Sequence, residues 1–137
     1  MAVTLNDTLS VKRGDIKHYD FGLPFWQATR QKKLVIQYCK TAKKYQHFPR
    51  PVSIFTGRRR DREWKEVSGK GTVYTYSVME RANPPYCIAY VELAEGPKMM
   101  TNIVDIDPKD VKIGMKVKVK WIQTEDNGPP MPCFAPA

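Results

Sequence analysis

A chain of 137 residues has the length of one ordinary domain, and with 42% apolar and 27% charged residues it reads as a soluble globular protein. No run approaches the roughly eighteen apolar residues of a membrane span, and the opening MAVTLNDTLSVKRGD lacks the continuous apolar segment of a secretory signal, so an intracellular, cytoplasmic protein is expected. The formal charge of +9 sits between Val11 and Lys70, where sixteen Lys and Arg face five Asp and Glu, against seven and nine in the remainder; such a basic front favours an acidic partner.

The first dozen residues have no amphipathic period and are expected to form a loose tail. A helix is predicted from Leu23 to Gln31, because Pro24 is tolerated in a first turn, where its missing N–H would lack an intrahelical partner anyway. Phe25 and Trp26 are adjacent on that helix and point about 100° apart, so one packs on the domain and the other is left for a partner. Leu34 to Tyr38 reads as a strand. The lysine-rich return through Phe48, Pro49, Arg50 and Pro51 cannot be a central strand, and Gly57 to Arg62 reads as a basic loop.

From Trp64 onward, strands alternate with turn signals. Thr72 to Val78 has the period of two of a half-buried strand, bent or split at Gly69 and Gly71, and Cys87 to Leu93, Lys98 to Asp105 and Met115 to Gln123 follow. In the last, Val117, Val119 and Trp121 face inward and Lys116, Lys118 and Lys120 outward. Glu95, Gly96 and Pro97 make a tight turn, and Asp107 to Asp110 opens a helical turn closed by Gly114. Short strands with a brief helix before the last fit a small closed barrel, of which the five-stranded OB-fold is the commonest. The tail PPMPCFAPA is too rich in proline for a helix and is expected to lie extended against the barrel.

Cys39, Cys87 and Cys133 form no disulfide framework, and His18 and His47 are read as surface or packing residues. Cys87 reads as a small buried hydrophobe, and Cys133 as a similar but more exposed one. Without paired carboxylates, a glycine-rich cradle or a partnered histidine, independent catalysis is not expected.

These segments together resemble the family of zinc-ribbon plus OB-fold proteins called domain of unknown function 35, whose members associate with thiolase-like enzymes. The residues carrying the resemblance are Pro24 to Trp26, Leu34 to Cys39, Phe48 to Pro51, Glu66 to Tyr76, Ala89 to Glu92, Thr101 to Val104 and Ile113 to Val117, and they span about residues 20 to 136. The resemblance implies a mainly β chain: an N-terminal tail and docking helix (1–33), a ribbon-like knuckle (34–63) and a C-terminal five-stranded OB-fold barrel (64–137). Two CxxC pairs usually hold zinc in that knuckle. The four ligand positions fall here on Cys39, Ala42, Ser53 and Thr56, and since alanine has no donor and neutral hydroxyls are poor ligands, no zinc is expected. Tyr38, Tyr45, Phe48, Ile54 and Phe55 are expected to fill the vacated space as an apolar cluster.

What the resemblance implies for function is a non-catalytic auxiliary subunit of a thiolase-like acyl-CoA enzyme, a ketothiolase, condensing enzyme or retro-aldolase. Phe21, Phe25, Trp26 and Arg30 would dock on the catalytic subunit, and Arg58, Arg59, Arg60 and Arg62 could meet the phosphates of coenzyme A, with no cofactor held tightly. Stand-alone acyl-CoA binding is the alternative, with Tyr74, Tyr76, Met99 and Met100 lining an acyl site. Single-strand nucleic-acid binding is the second alternative, weakened because the charge lies outside the near-neutral barrel.

Overall fold

The computed structural model describes the backbone of Thr8 and Leu9, and residues 22–124 and 127–137. Among the described residues, nine strands and one α-helix run in the order β1 (Thr8–Leu9), α1 (Leu23–Thr29), β2 (Val35–Cys39), β3 (Lys44–Gln46), β4 (Arg62–Glu66), β5 (Lys70–Met79), β6 (Tyr86–Leu93), β7 (Lys98–Ile103), β8 (Lys116–Thr124) and β9 (Met131–Pro136). Strands β3, β2 and β4 form a small antiparallel sheet, and β5, β6, β7, β9 and β8 close into a five-stranded barrel because β8 pairs with both β5 and β9. This is the OB-fold barrel that the strand texture implied.

Alternation builds the barrel. Cys87, Ala89, Val91 and Leu93 of β6 point inward, while Tyr86, Ile88, Tyr90 and Glu92 lie on the outer face. Phe134 of β9 is fully buried among Val73, Val91, Ile103 and Val117 in the main core. Burying each such side chain is worth about 1.5–3 kcal/mol, which is how a fold with one seven-residue helix is stabilised.

Several expectations are corrected. The helix stops at Thr29 rather than Gln31, with the Thr29 hydroxyl donating to the Trp26 carbonyl at 2.6 Å. The basic loop contains a 3-10 turn, Arg59–Asp61, and then continues straight into β4, which pairs with β2 from Val35↔Glu66 to Cys39↔Arg62. The small sheet therefore runs to Glu66, past the 34–63 segment. The irregularity in β5 falls between Val73 and Thr75, not at the glycines. Gly71 instead permits close approach: a Cβ there would lie 2.5 Å from Val91 Cγ1 and 2.8 Å from the Glu92 carbonyl. Cys133 is as buried as Cys87. The tail does more than lie on the barrel, since β9 pairs with β8 from Val117↔Pro136 to Ile122↔Met131 and with β7 at Ile103↔Phe134. Thr8 and Leu9, placed in a loose tail by the sequence, pair in parallel with Gln123 and Thr124. Phe21 and His18 lie outside the described residues.

Candidate functional site

Two features stand between the helix and the barrel. The first is the knuckle, in which β2 and β3 present two buried amides, Gln37 and Gln46. Gln46 Nε2 donates to Gln37 Oε1 at 2.7 Å, and Gln37 in turn clamps Arg50, accepting from its N–H at 2.8 Å and donating to its carbonyl at 2.9 Å. Gln46 also accepts the Ile54 N–H at 2.8 Å. The returning loop is thus tied to the sheet by side-chain amides.

The four ribbon-ligand positions lie inside this frame. Cys39 Sγ accepts the Ala42 N–H at 3.4 Å, and Ser53 Oγ accepts the N–H groups of Phe55 at 3.1 Å and Thr56 at 3.3 Å. Burial raises the pKa of the Cys39 thiol, but hydrogen bonds from Ser53 and from the Ala42 and Thr41 backbone outweigh it and leave the pKa below its ordinary value. The Thr56 hydroxyl donates to Asp61 Oδ2 at 2.6 Å, and this bond is the main cause of the lowered Asp61 pKa, with Thr41, Arg58 and Arg60 adding to it. These residues do not fit a tetrahedral zinc: one thiol, one methyl group, and two hydroxyls already engaged in hydrogen bonds. Among the described residues, no three His, Cys, Asp or Glu side chains gather into a metal-holding group.

The expected apolar filling is absent. Tyr38 and Tyr45 do pack together, tilted with 4.8 Å between centroids, but Phe48, Ile54 and Phe55 are exposed. Polar groups occupy the space, and a polar interior whose bonds are satisfied has no room for those rings.

The second feature is a groove of about 700 Å³ between α1, the segment from His47 to Arg50, and the outer face of β6 and β7. Phe25 and Trp26 form one wall, Ile88, Tyr90 and Met100 the floor, and Phe48 part of the rim, with Arg50 and Lys98 the cationic members. His47 packs against Phe25 at a tilt, with ring centroids 5.8 Å apart, and its buried Nδ1 has no hydrogen-bond partner. Burial lowers its pKa from 6.5 to about 4, so it enters this wall as neutral imidazole at physiological pH.

The structure divides the predicted site residues. Phe25 is buried in the core and reaches the groove from there, whereas Trp26 is half-buried against that core and Arg30 is exposed, donating to the Asn127 carbonyl at 3.3 Å. Met99 and Met100 both reach the groove, Met99 from the barrel core and Met100 with 64% of its surface exposed. Tyr74 and Tyr76 are exposed outside its lining, Tyr74 beneath the Lys98 ammonium at 4.6 Å. The four do not share one acyl cavity. Arg58, Arg59 and Arg60 are exposed and take no part in the groove, while Arg62 turns back to donate to the Arg50 carbonyl at 2.8 Å. His47, Phe48, Ile88 and Tyr90 are among the groove residues that the sequence did not group; the advance signal was the adjacency of two aromatic side chains at Phe25 and Trp26.

A closed five-stranded barrel preceded by a three-stranded knuckle and a short aromatic helix defines a class of ribbon-plus-OB proteins. The family model "ChsH2, C-terminal OB-fold domain" matches residues 64–121. A "DUF35 domain-containing scaffold protein" of Pyrococcus furiosus is 32% identical over 105 residues, covering 69% of this chain and 74% of that one. The chain belongs to the DUF35 family. A solved structure, "Ltp2-ChsH2(DUF35) aldolase", superposes with a TM-score of 0.78 at 32% identity, covering 89% of this chain and 98% of that one. The "probable enoyl-CoA hydratase alpha subunit" of Thermomonospora curvata is 38% identical over 119 residues, 82% of this chain; the chain spans only 37% of that longer relative.

Proposed function

We propose that this chain is a non-catalytic auxiliary subunit of a thiolase-like acyl-CoA enzyme, of ketothiolase, condensing or retro-aldolase type. The observation that carries the reading is the likeness along nearly the whole of the DUF35 chain of an aldolase complex, and the naming of a relative as a scaffold protein agrees with it. Physically, the groove supplies what such a subunit needs. Phe48, Tyr90 and Met100 are exposed, with Trp26 half-buried beside them, and aromatic and sulfur-bearing side chains of this kind provide most of the affinity in protein interfaces. Arg30 is exposed at the C-terminal end of α1, outside the groove lining, and on this reading extends the docking surface along the helix, while the knuckle stands without metal as a spacer between helix and barrel. Arg58 to Arg60 and Arg62 remain candidates for coenzyme A phosphates at the shared interface.

The reading is tested by purifying the tagged full chain from its native host and measuring the mass of what elutes. A hetero-oligomer with a thiolase-like chain is expected; a lone monomer contradicts it. A second reading, acyl-CoA binding by the chain alone, is favoured by the apolar groove with Arg50 and Lys98 in its wall. Calorimetry with an acyl-CoA, with and without the partner, separates the two.

A further inference from the structure

Ile54 and Phe55 form an apolar pair on the outside of the knuckle, with 60% and 41% of their surfaces exposed. Their backbone is pinned. Ile54 N–H donates to Gln46 Oε1 at 2.8 Å, Phe55 N–H to Ser53 Oγ at 3.1 Å, and Gly57 N–H closes the turn on the Ser53 carbonyl at 2.8 Å. Gly57, at φ 73°, supplies the left-handed residue that sends the chain back past Ser53. A fixed tip with outward apolar side chains loses little conformational freedom when it is covered, and that preorganisation is a mark of interface anchors.

A cationic collar surrounds the tip. Lys44 Nζ lies 5.6 Å from the Phe55 ring centroid, and Arg58 is tied to the turn through its carbonyl, which accepts from Ser53 at 3.2 Å, and its N–H, which donates to Thr56 Oγ1 at 3.3 Å. From Lys40 to Arg62 there are eight Lys and Arg against a single acid, Asp61, whose carboxylate accepts from Thr56 inside the knuckle. The collar's charge is therefore not neutralised by its own segment.

We infer that this tip is a docking point for a protein partner presenting an apolar pocket rimmed by Asp and Glu, with Ile54 and Phe55 entering the pocket and Lys44 and Arg58 meeting the rim. For the identity of that partner the inference rests on the auxiliary-subunit reading. A protein is favoured over an anionic lipid surface because the anchors sit on one rigid turn and not on an amphipathic helix able to lie in a bilayer interface. None of the tip residues lines the groove, so the partner is held at two separate points.

The experiment titrates the thiolase-like companion, purified with the wild-type chain, against full-length wild type, Ile54→Ser/Phe55→Ser and Lys44→Gln/Arg58→Gln. Because the four side chains are exposed, melting temperatures should stay close to wild type. The apolar double variant is expected to bind about 30-fold more weakly, the scale of losing interface anchors, and the charge variant to bind more weakly with a flatter salt dependence. Binding of Ile54→Ser/Phe55→Ser within twofold of wild type overturns the inference while leaving the subunit reading intact. So does wild-type adsorption to phosphatidylserine vesicles that this variant loses with companion binding unchanged, which would assign the tip to lipid. If the wild-type chain forms no complex with any thiolase-like companion, the subunit reading fails and takes the inference with it.

Discussion

At Ser53 a hydroxyl stands where a ribbon protein would place a thiolate, and it accepts two backbone N–H groups that a sulfur would accept in its place. Removing it strands both donors in a part-buried turn, so Ser53→Ala should cost about 1 kcal/mol, read as a shift in the urea midpoint at neutral pH. Mass spectrometry of chelator-free protein should find no stoichiometric zinc, and one equivalent per chain would refute the polar account of the knuckle. His47 supplies a pH signature. Its pKa is about 4 folded against 6.5 unfolded, so the unfolded chain binds the proton more readily between those values. Stability from this group is complete above about pH 6.5 and declines as pH falls towards 4, by up to roughly 3 kcal/mol. His47→Phe should lose that component, seen by comparing urea midpoints of variant and wild type at pH 7.5 and 4.5. The degenerate ligand set at Cys39, Ala42, Ser53 and Thr56 became legible once the flanking segments, through the family resemblance, fixed where the ribbon's ligands fall. What fills the space was not, because the partners of Gln37 and Gln46 come from a loop whose path the sequence does not print.

Among the elements, β6 and β7 were readable because each buries one face and the period of two survives in the residues, whereas in β8 the expected inward set holds only at Val117, since Val119 and Trp121 are half-buried and Ile122 and Thr124 are buried on the other phase. Strand β4 was missed for the opposite reason: none of Arg62, Glu63, Trp64, Lys65 and Glu66 is buried, so no period marks it. Tyr74 and Tyr76 were assigned to an acyl site, but Tyr74 is the unpaired residue of the irregularity between Val73 and Thr75, and both rings are exposed outside the groove lining. Strand β9 was hidden by Pro132 and Pro136, which lack an N–H and count against a strand, although both are paired opposite β8. Gly71 offers a test at this scale. Its missing side chain lets β5 approach β6, and because one of the atoms a Cβ would meet is the Glu92 carbonyl of the backbone, neighbouring side chains cannot relieve the clash. Gly71→Ala should destabilise by about 1–3 kcal/mol in urea unfolding, whereas an exposed change such as Lys118→Ala should be near neutral.

For the molecule as a whole, most of the positive charge is separated from the apolar groove. The cations crowd the knuckle, while the groove on the barrel side is mostly apolar with Arg50 and Lys98 in its wall. Composition located the first; the second depends on α1, the His47 to Arg50 segment and the outer faces of β6 and β7 converging, which no local pattern reveals. A surface of this kind suits a subunit that is completed by a partner. The most direct test is the turnover of the thiolase-like companion, measured for the companion alone, for this chain alone and for the two mixed. No turnover by this chain and a higher rate for the mixture than for the companion alone, with both chains eluting as one complex, is the predicted result. Acyl-CoA turnover by this chain alone, or a companion that neither binds it nor responds to it, would contradict the account.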